Sequence, residues 1–148
     1  MAKMKDRELK VNTLKQLKEA EIKTEITLKK NWKISWNEIE DWINKLSTLI
    51  KDKNYIGIYG VPKGGLIFAT LLAYKTKLPL LQAPEKNCLV VDDIIGTGVA
   101  LIDLANRYDT AVMLVEKNCF YRPTYLYKEV TDEYILFPWF YDREEINI

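Results

Sequence analysis

The stretch Leu89-Val90-Val91-Asp92-Asp93-Ile94-Ile95-Gly96-Thr97-Gly98-Val99-Ala100 decides how this chain folds. An apolar run, Cys88–Val91, reads as a buried strand. It delivers two adjacent acids to its open end. The loop Asp92–Gly98 follows, and Val99–Tyr108 reads as a helix. Gly96, Thr97 and Gly98 let backbone N–H groups converge on one point, Thr97 adds a hydroxyl, and the helix aims its positive end at the same place. Such a turn suits a phosphate. The two acids would repel a phosphate, so they suit sugar hydroxyls or a magnesium ion beside it. The bland alternative is a strand end with a solvated acidic turn and a threonine cap.

The flanking sequence repeats the pattern. Tyr55–Tyr59 reads as a strand, Gly60–Gly65 as a glycine-rich loop and Leu66–Lys75 as an apolar helix. Leu78–Leu81 and Ala111–Val115 read as further strands. Strands alternating with helices predict an α/β fold, a parallel sheet with helices on both faces. Ligands of such sheets sit beyond the carboxyl ends of the strands, where both glycine-rich loops fall. Upstream, Trp32–Ile34 reads as a short strand. Ser35 and Glu38 have the spacing of a capping box, and the helix after them buries Ile39, Trp42, Ile43, Leu46 and Ile50. Met1–Ala20 reads as a lysine-rich helix and Ile22–Leu28 as an edge strand.

With 148 residues the chain suits a single domain, 1–148. A net charge of +1 argues against a nucleic-acid binder held by phosphate contacts. The charge is uneven: residues 1–30 carry nine basic and five acidic side chains, a net of +4, and residues 128–148 carry two and six, a net of −4. Solvated faces account for both ends. A basic arm over residues 1–30 that reaches a nucleic acid or a partner is the minority reading. Two cysteines and no histidine exclude a Cys/His zinc site and a Ser-His-Asp or Cys-His catalytic group. Cys88 and Cys119 border apolar runs and read as reduced core residues. There is no signal-peptide core and no membrane-length apolar run, so no membrane partner is expected and the cytoplasm is the default.

Val90–Ala100 resembles the ribose-phosphate signature of the type I phosphoribosyltransferases: apolar residues, two acids, a spacer, then Thr-Gly. These enzymes take 5-phosphoribosyl diphosphate and a nucleobase and release a nucleoside monophosphate and diphosphate. Gly60-Val61-Pro62-Lys63-Gly64-Gly65-Leu66 is similar to the family's diphosphate loop, and Ile34-Ser35-Trp36 to the lead-in of the bacterial purine enzymes. Tyr134-Ile135-Leu136-Phe137-Pro138-Trp139 is similar to a piece of the bacterial xanthine–guanine and hypoxanthine phosphoribosyltransferases whose aromatic stacks on the purine.

The resemblance implies a parallel sheet with a small C-terminal hood, taken as 118–139, and transfer of a phosphoribosyl group to a purine with Mg2+, in nucleotide salvage. It implies Asp92 and Asp93 as the catalytic carboxylates, with Asp93 a magnesium ligand. It assigns the phosphoribosyl diphosphate to Lys63, Gly64, Gly65 and the run Asp92-Asp93-Ile94-Ile95-Gly96-Thr97-Gly98-Val99-Ala100. It assigns the base to Lys117, Tyr134 and Ile135. A homodimer fits the family.

Three positions depart from the pattern. The 6-oxopurine enzymes usually carry a third Asp before Thr-Gly, where this chain has Gly96. Their long mobile loop is here only Gln82–Asn87. A Thr or Ser that often follows is here Ala100. These departures keep two alternatives open: a non-catalytic phosphoribosyl or nucleotide-binding regulator, and a phosphoribosyltransferase for another base.

Overall fold

The computed structural model describes residues 15–17, 30–96, 98, 101–131 and 133–141. Residues 15–17 are helical; the rest of the expected N-terminal helix and the expected strand Ile22–Leu28 lie outside the described residues. The elements run β1 (Lys30–Lys33), α1 (Trp36–Ile50), β2 (Gly57–Gly60), α2 (Gly64–Thr76), β3 (Leu80–Leu81), β4 (Cys88–Ile95), α3 (Ile102–Ala105), β5 (Asp109–Glu116), β6 (Tyr125–Val130) and β7 (Glu133–Leu136), then a 3-10 turn over Pro138–Phe140.

Two compact units emerge. The larger comprises Lys33–Thr131 and Phe137–Ile148, the smaller Met1–Trp32 and Asp132–Leu136. The smaller contains most of the two-stranded β1–β7 sheet. The larger is built on a five-stranded sheet in the order β3-β2-β4-β5-β6, with every pair parallel.

The central strand β4 is buried from Cys88 to Val91, and β5 from Thr110 to Val115. Neither alternates, as expected of strands covered on both faces. Leu101, Leu104 and Tyr108 pack with Cys88, Val90 and Val112 in one core cluster. Helices α1 and α2 pack on one another, and α2 packs on β2 and β4. Phe68, Ala69 and Leu72 of α2 are fully buried.

Helix α1 begins where its sequence dictates. The Glu38 N–H donates to Ser35 Oγ at 3.1 Å, and the Ser35 N–H donates to Glu38 Oε2 at 2.8 Å. Its buried residues are the five that the apolar spacing names. Loss of the cap in Ser35→Ala is expected to cost about 1 kcal/mol, or a few degrees of melting temperature, without changing ligand binding. Thermal melting followed by circular dichroism checks this. Helix α1 is tied to β6 by the Tyr127 hydroxyl, which donates to Asp41 Oδ2 at 2.7 Å, and by Trp42 against the Tyr127 ring at 5.6 Å.

Three expectations change. Strand β4 runs on to Ile95, so the acid pair lies within the strand and not in a loop. Pairing with β5 continues through Ile94↔Leu114 and Ile95↔Val115, and this holds the segment extended. The helix expected over Val99–Tyr108 ends at Ala105: among the described residues it is the turn Ile102–Ala105. Tyr125–Val130, expected in the hood, is the fifth strand of the main sheet.

Candidate functional site

The order of the sheet decides where a ligand can sit. From β2 the chain goes to β3 on one side; from β4 it goes to β5 on the other. The crevice between the carboxyl ends of β2 and β4 is therefore the topological switch point. Two connections open there, Val61–Lys63 and the segment after Ile95. The Val61 N–H donates to Val91 O at 2.9 Å and seats the first against β4. The Pro62–Lys63 peptide is cis, and Lys63 is exposed.

Glycines let α2 begin hard against the acids. A Cβ at Gly64 would lie 2.0 Å from Asp93 Oδ2. At Gly65 it would lie 2.5 Å from Val91 O and 3.2 Å from Asp92 Oδ1. No side chain fits either place, so Gly64, Gly65, Asp92 and Asp93 form one packed corner. The acids are held in shape by the backbone: the Asp93 N–H donates to Asp92 Oδ1 at 2.9 Å, and the Ile94 N–H to Asp93 Oδ1 at 2.8 Å. Burial, and then the neighbouring Asp93, pushes the Asp92 carboxyl up to about 8.

Of the remaining expected phosphate-binding residues, Ile94 and Ile95 lie on β4 and Gly96 follows it. Gly98 takes φ +90, a backbone that favours glycine. Thr97, Val99 and Ala100 lie outside the described residues. Among the residues expected to bind the base, Lys117 follows β5, with its N–H on Val130 O at 3.0 Å and its side chain exposed. Tyr134 and Ile135 lie on β7, in the smaller unit, and Tyr134 is 56% exposed. Trp139, from the same sequence piece, is an anchor: its ring stacks on Phe137 at 4.9 Å and meets Phe68 edge-on at 5.8 Å.

Sequence reading gave no role at this site to three residues. Cys119 Sγ and the Tyr121 ring both lie close to Gly98, at 3.0 and 3.2 Å from where its Cβ would be. The Tyr121 hydroxyl is buried and has no hydrogen-bond partner among the described residues. Burial, then Cys119 and Asp92, push it up to about 12. Glu116 closes β5 and is the group nearest to a side chain placed at Gly96. Its signal was present: a lone charge ending six buried residues, one rung beyond the Ile95↔Val115 pair.

Cavities of about 440 and 460 Å³ lie elsewhere, along α1 and α2. Neither is lined by Lys63, Asp92, Asp93 or Gly96. Among the described residues no group of three or more His, Cys, Asp or Glu stands ready for a metal, and no helix is long and apolar enough to cross a membrane.

No family model matches the chain, and no curated protein matches it in sequence. Solved structures do match. The purine phosphoribosyltransferase of Pyrococcus horikoshii is 21% identical, with a TM-score of 0.65 over 74% of this chain and 93% of that one. The xanthine-guanine-hypoxanthine phosphoribosyltransferase of Helicobacter pylori is 16% identical, with a TM-score of 0.67 over 79% and 98%. A Neisseria gonorrhoeae protein solved with bound ppGpp is 19% identical, with a TM-score of 0.62 over 81% and 95%. With its parallel five-stranded sheet and its acid pair at the switch point, the chain has the type I phosphoribosyltransferase fold.

Proposed function

We propose that this protein transfers a 5-phosphoribosyl group from 5-phosphoribosyl diphosphate to a purine base. The observation that carries the reading is the corner where Asp92 and Asp93 meet the first turn of α2 at the switch point. In the transfer the C1′–O bond to diphosphate breaks and a C1′–N bond to the base forms. Positive charge gathers on the ribose as the first bond lengthens. The acid pair stands to stabilise that charge, while Lys63 and the amides at Gly64 and Gly65 hold the departing diphosphate. Lys117, Tyr134 and Ile135 receive the base.

Magnesium fits this donor set. The ion takes one or two carboxylates and draws its other oxygens from substrate and water, which suits a site with two acids and no larger cluster. Asp93 would hold it, and it would neutralise diphosphate charge. The reaction belongs to nucleotide salvage, in the cytoplasm.

A second reading, a nucleotide binder without turnover, is favoured by the six-residue connection Gln82–Asn87, which is too short for a lid. The ppGpp bound to the Neisseria gonorrhoeae protein is in keeping with it. Diphosphate release from 5-phosphoribosyl diphosphate and magnesium, with bases added one at a time, separates the two. Release that depends on one purine is the expected result. Tight binding of 5-phosphoribosyl diphosphate by calorimetry, with no release for any base, would establish the second reading instead.

A further inference from the structure

The amino edge of the main sheet, at the opposite end from the acid pair, carries a polar cavity of its own. Helices α1 and α2 both end there, and each leads back to its strand through a Lys-x-Lys pair: Lys51-Asp52-Lys53 after α1 and Lys75-Thr76-Lys77 at the end of α2. Each connection passes through a left-handed residue, Asn54 at φ 58 and Lys77 at φ 64. The strands they feed, β2 and β3, are neighbours, so the two connections lie side by side. The cavity of about 460 Å³ opens here, lined by Lys51, Lys75 and Asn54 and by the apolar surfaces of Ile50, Tyr55 and Leu78.

Among the described residues that lining holds two ammonium groups and no carboxylate. Neither Lys51 nor Lys75 pairs with a described acid, unlike Lys45, which meets Asp41 at 3.1 Å. Asp109, at the start of β5, already accepts the Tyr55 hydroxyl at 2.6 Å, and this bond also fixes the Tyr55 ring. The last carbonyls of a helix ordinarily repel an anion. Here Thr48 O and Ile50 O accept the Lys51 and Lys53 N–H groups, Ala73 O accepts the Lys77 N–H, and Leu72 O accepts the Thr76 hydroxyl. Those bonds blunt the repulsion. The Ser47 and Thr48 hydroxyls donate to Asn44 O. The donors left for a ligand are the two ammonium groups and the Asn54 amide.

We propose that this cavity binds a phosphate ester of mononucleotide size. Lys51 and Lys75, on flexible stems from two different helices, take the phosphate. The sugar and ring lie against Tyr55, Ile50 and Leu78. A cavity of this volume, with an apolar floor and a few placed polar groups, has the build of a small-ligand site. The site stands apart from the acid pair and does not rest on the transfer reading.

Amide NMR of the full chain, titrated with AMP at low salt, reads the two ends of the sheet separately. Saturable shifts are expected at Lys51–Tyr55 and Lys75–Leu78. They should weaken when salt is raised to about 0.5 M, because both lysines are exposed and screened there. AMP should bind this end about tenfold more tightly than inorganic phosphate, which brings the charge but fills little of the cavity. Lys51→Gln combined with Lys75→Gln should weaken AMP by about tenfold or more, with a melting temperature within about 2 °C of the unmodified protein. Lys45→Gln, which removes a charge from α1 away from the cavity, should change AMP binding by less than about twofold. Shifts confined to the segments Gly60–Gly65 and Asp92–Gly98 would overturn the inference. So would inorganic phosphate binding as tightly as AMP, or a double variant that binds AMP as the unmodified protein does.

Discussion

Asp93→Asn is expected to lower base-dependent diphosphate release by about 1,000-fold while moving the melting temperature by no more than about 2 °C. The substitution removes a charge and little else. An asparagine Oδ1 can still accept the Ile94 N–H, now at 2.8 Å. The side chain keeps the size that Gly64 accommodates by having no Cβ of its own. What disappears is a negative charge beside a ribose that turns cationic as diphosphate leaves. At about 4 Å and an effective dielectric near 20, such a pair is worth about 4 kcal/mol, which is roughly the stated factor. Steady-state kinetics with the active base, alongside a melt, measures both numbers. Turnover that survives the change would remove Asp93 from the chemistry and with it the main support for the transfer reading.

The parts of the fold legible in the sequence were those set by local chemistry. Ser35 and Glu38 place the start of α1, and the spacing of Ile39, Trp42, Ile43, Leu46 and Ile50 names its buried face before any partner is known. The unbroken apolar runs of β4 and β5 announce a sheet covered on both sides. The errors came where pairing overrode local character. Two aspartates and a glycine-rich turn read as a loop after Val91, but the ladder to β5 keeps the chain extended through Ile95. Tyr125–Val130 alternates too weakly to declare itself, and only the edge of β5 makes it a strand of the main sheet. The same limit applies to the site. Asp92, Asp93, Gly64 and Gly65 are adjacent in sequence pairs and could be named as two motifs. That the motifs touch follows from β2 and β4 being neighbours.

Asp92→Asn is expected to make the protein more stable and far less active, and both effects should depend on pH. Helix α2 begins over Asp92, and Asp93 lies beside it, so burial first and then its neighbour push the carboxyl up to about 8. In the unfolded chain the same group ionises near its ordinary value of 3.8. Below about pH 4 both states hold the proton and Asp92 carries no pH-dependent cost. Between about 4 and 8 the unfolded chain gives the proton up and the folded protein keeps it. Stability therefore falls as pH rises across that window and levels off above it. Asparagine cannot ionise and escapes the loss. At pH 8.5 the variant should melt roughly 4–8 °C higher, from about 2 kcal/mol, and the gap should close by pH 4. Activity runs the other way. A protonated Asp92 offers no charge to a cationic ribose, so kcat/KM of the unmodified protein should climb toward pH 8 and flatten above it. In the variant that rising limb should vanish, along with at least 99% of the rate at pH 8.5, a loss of about 100-fold. A variant that melts lower than the unmodified protein at pH 8.5 would show that the corner between β4 and α2 does not disfavour the charge. An unmodified profile flat through pH 8 would show that Asp92 works without losing its proton. The opposite pair of results makes Asp92 a group held against its own stability for the sake of the bound cation, which is the behaviour expected of an acid kept for chemistry.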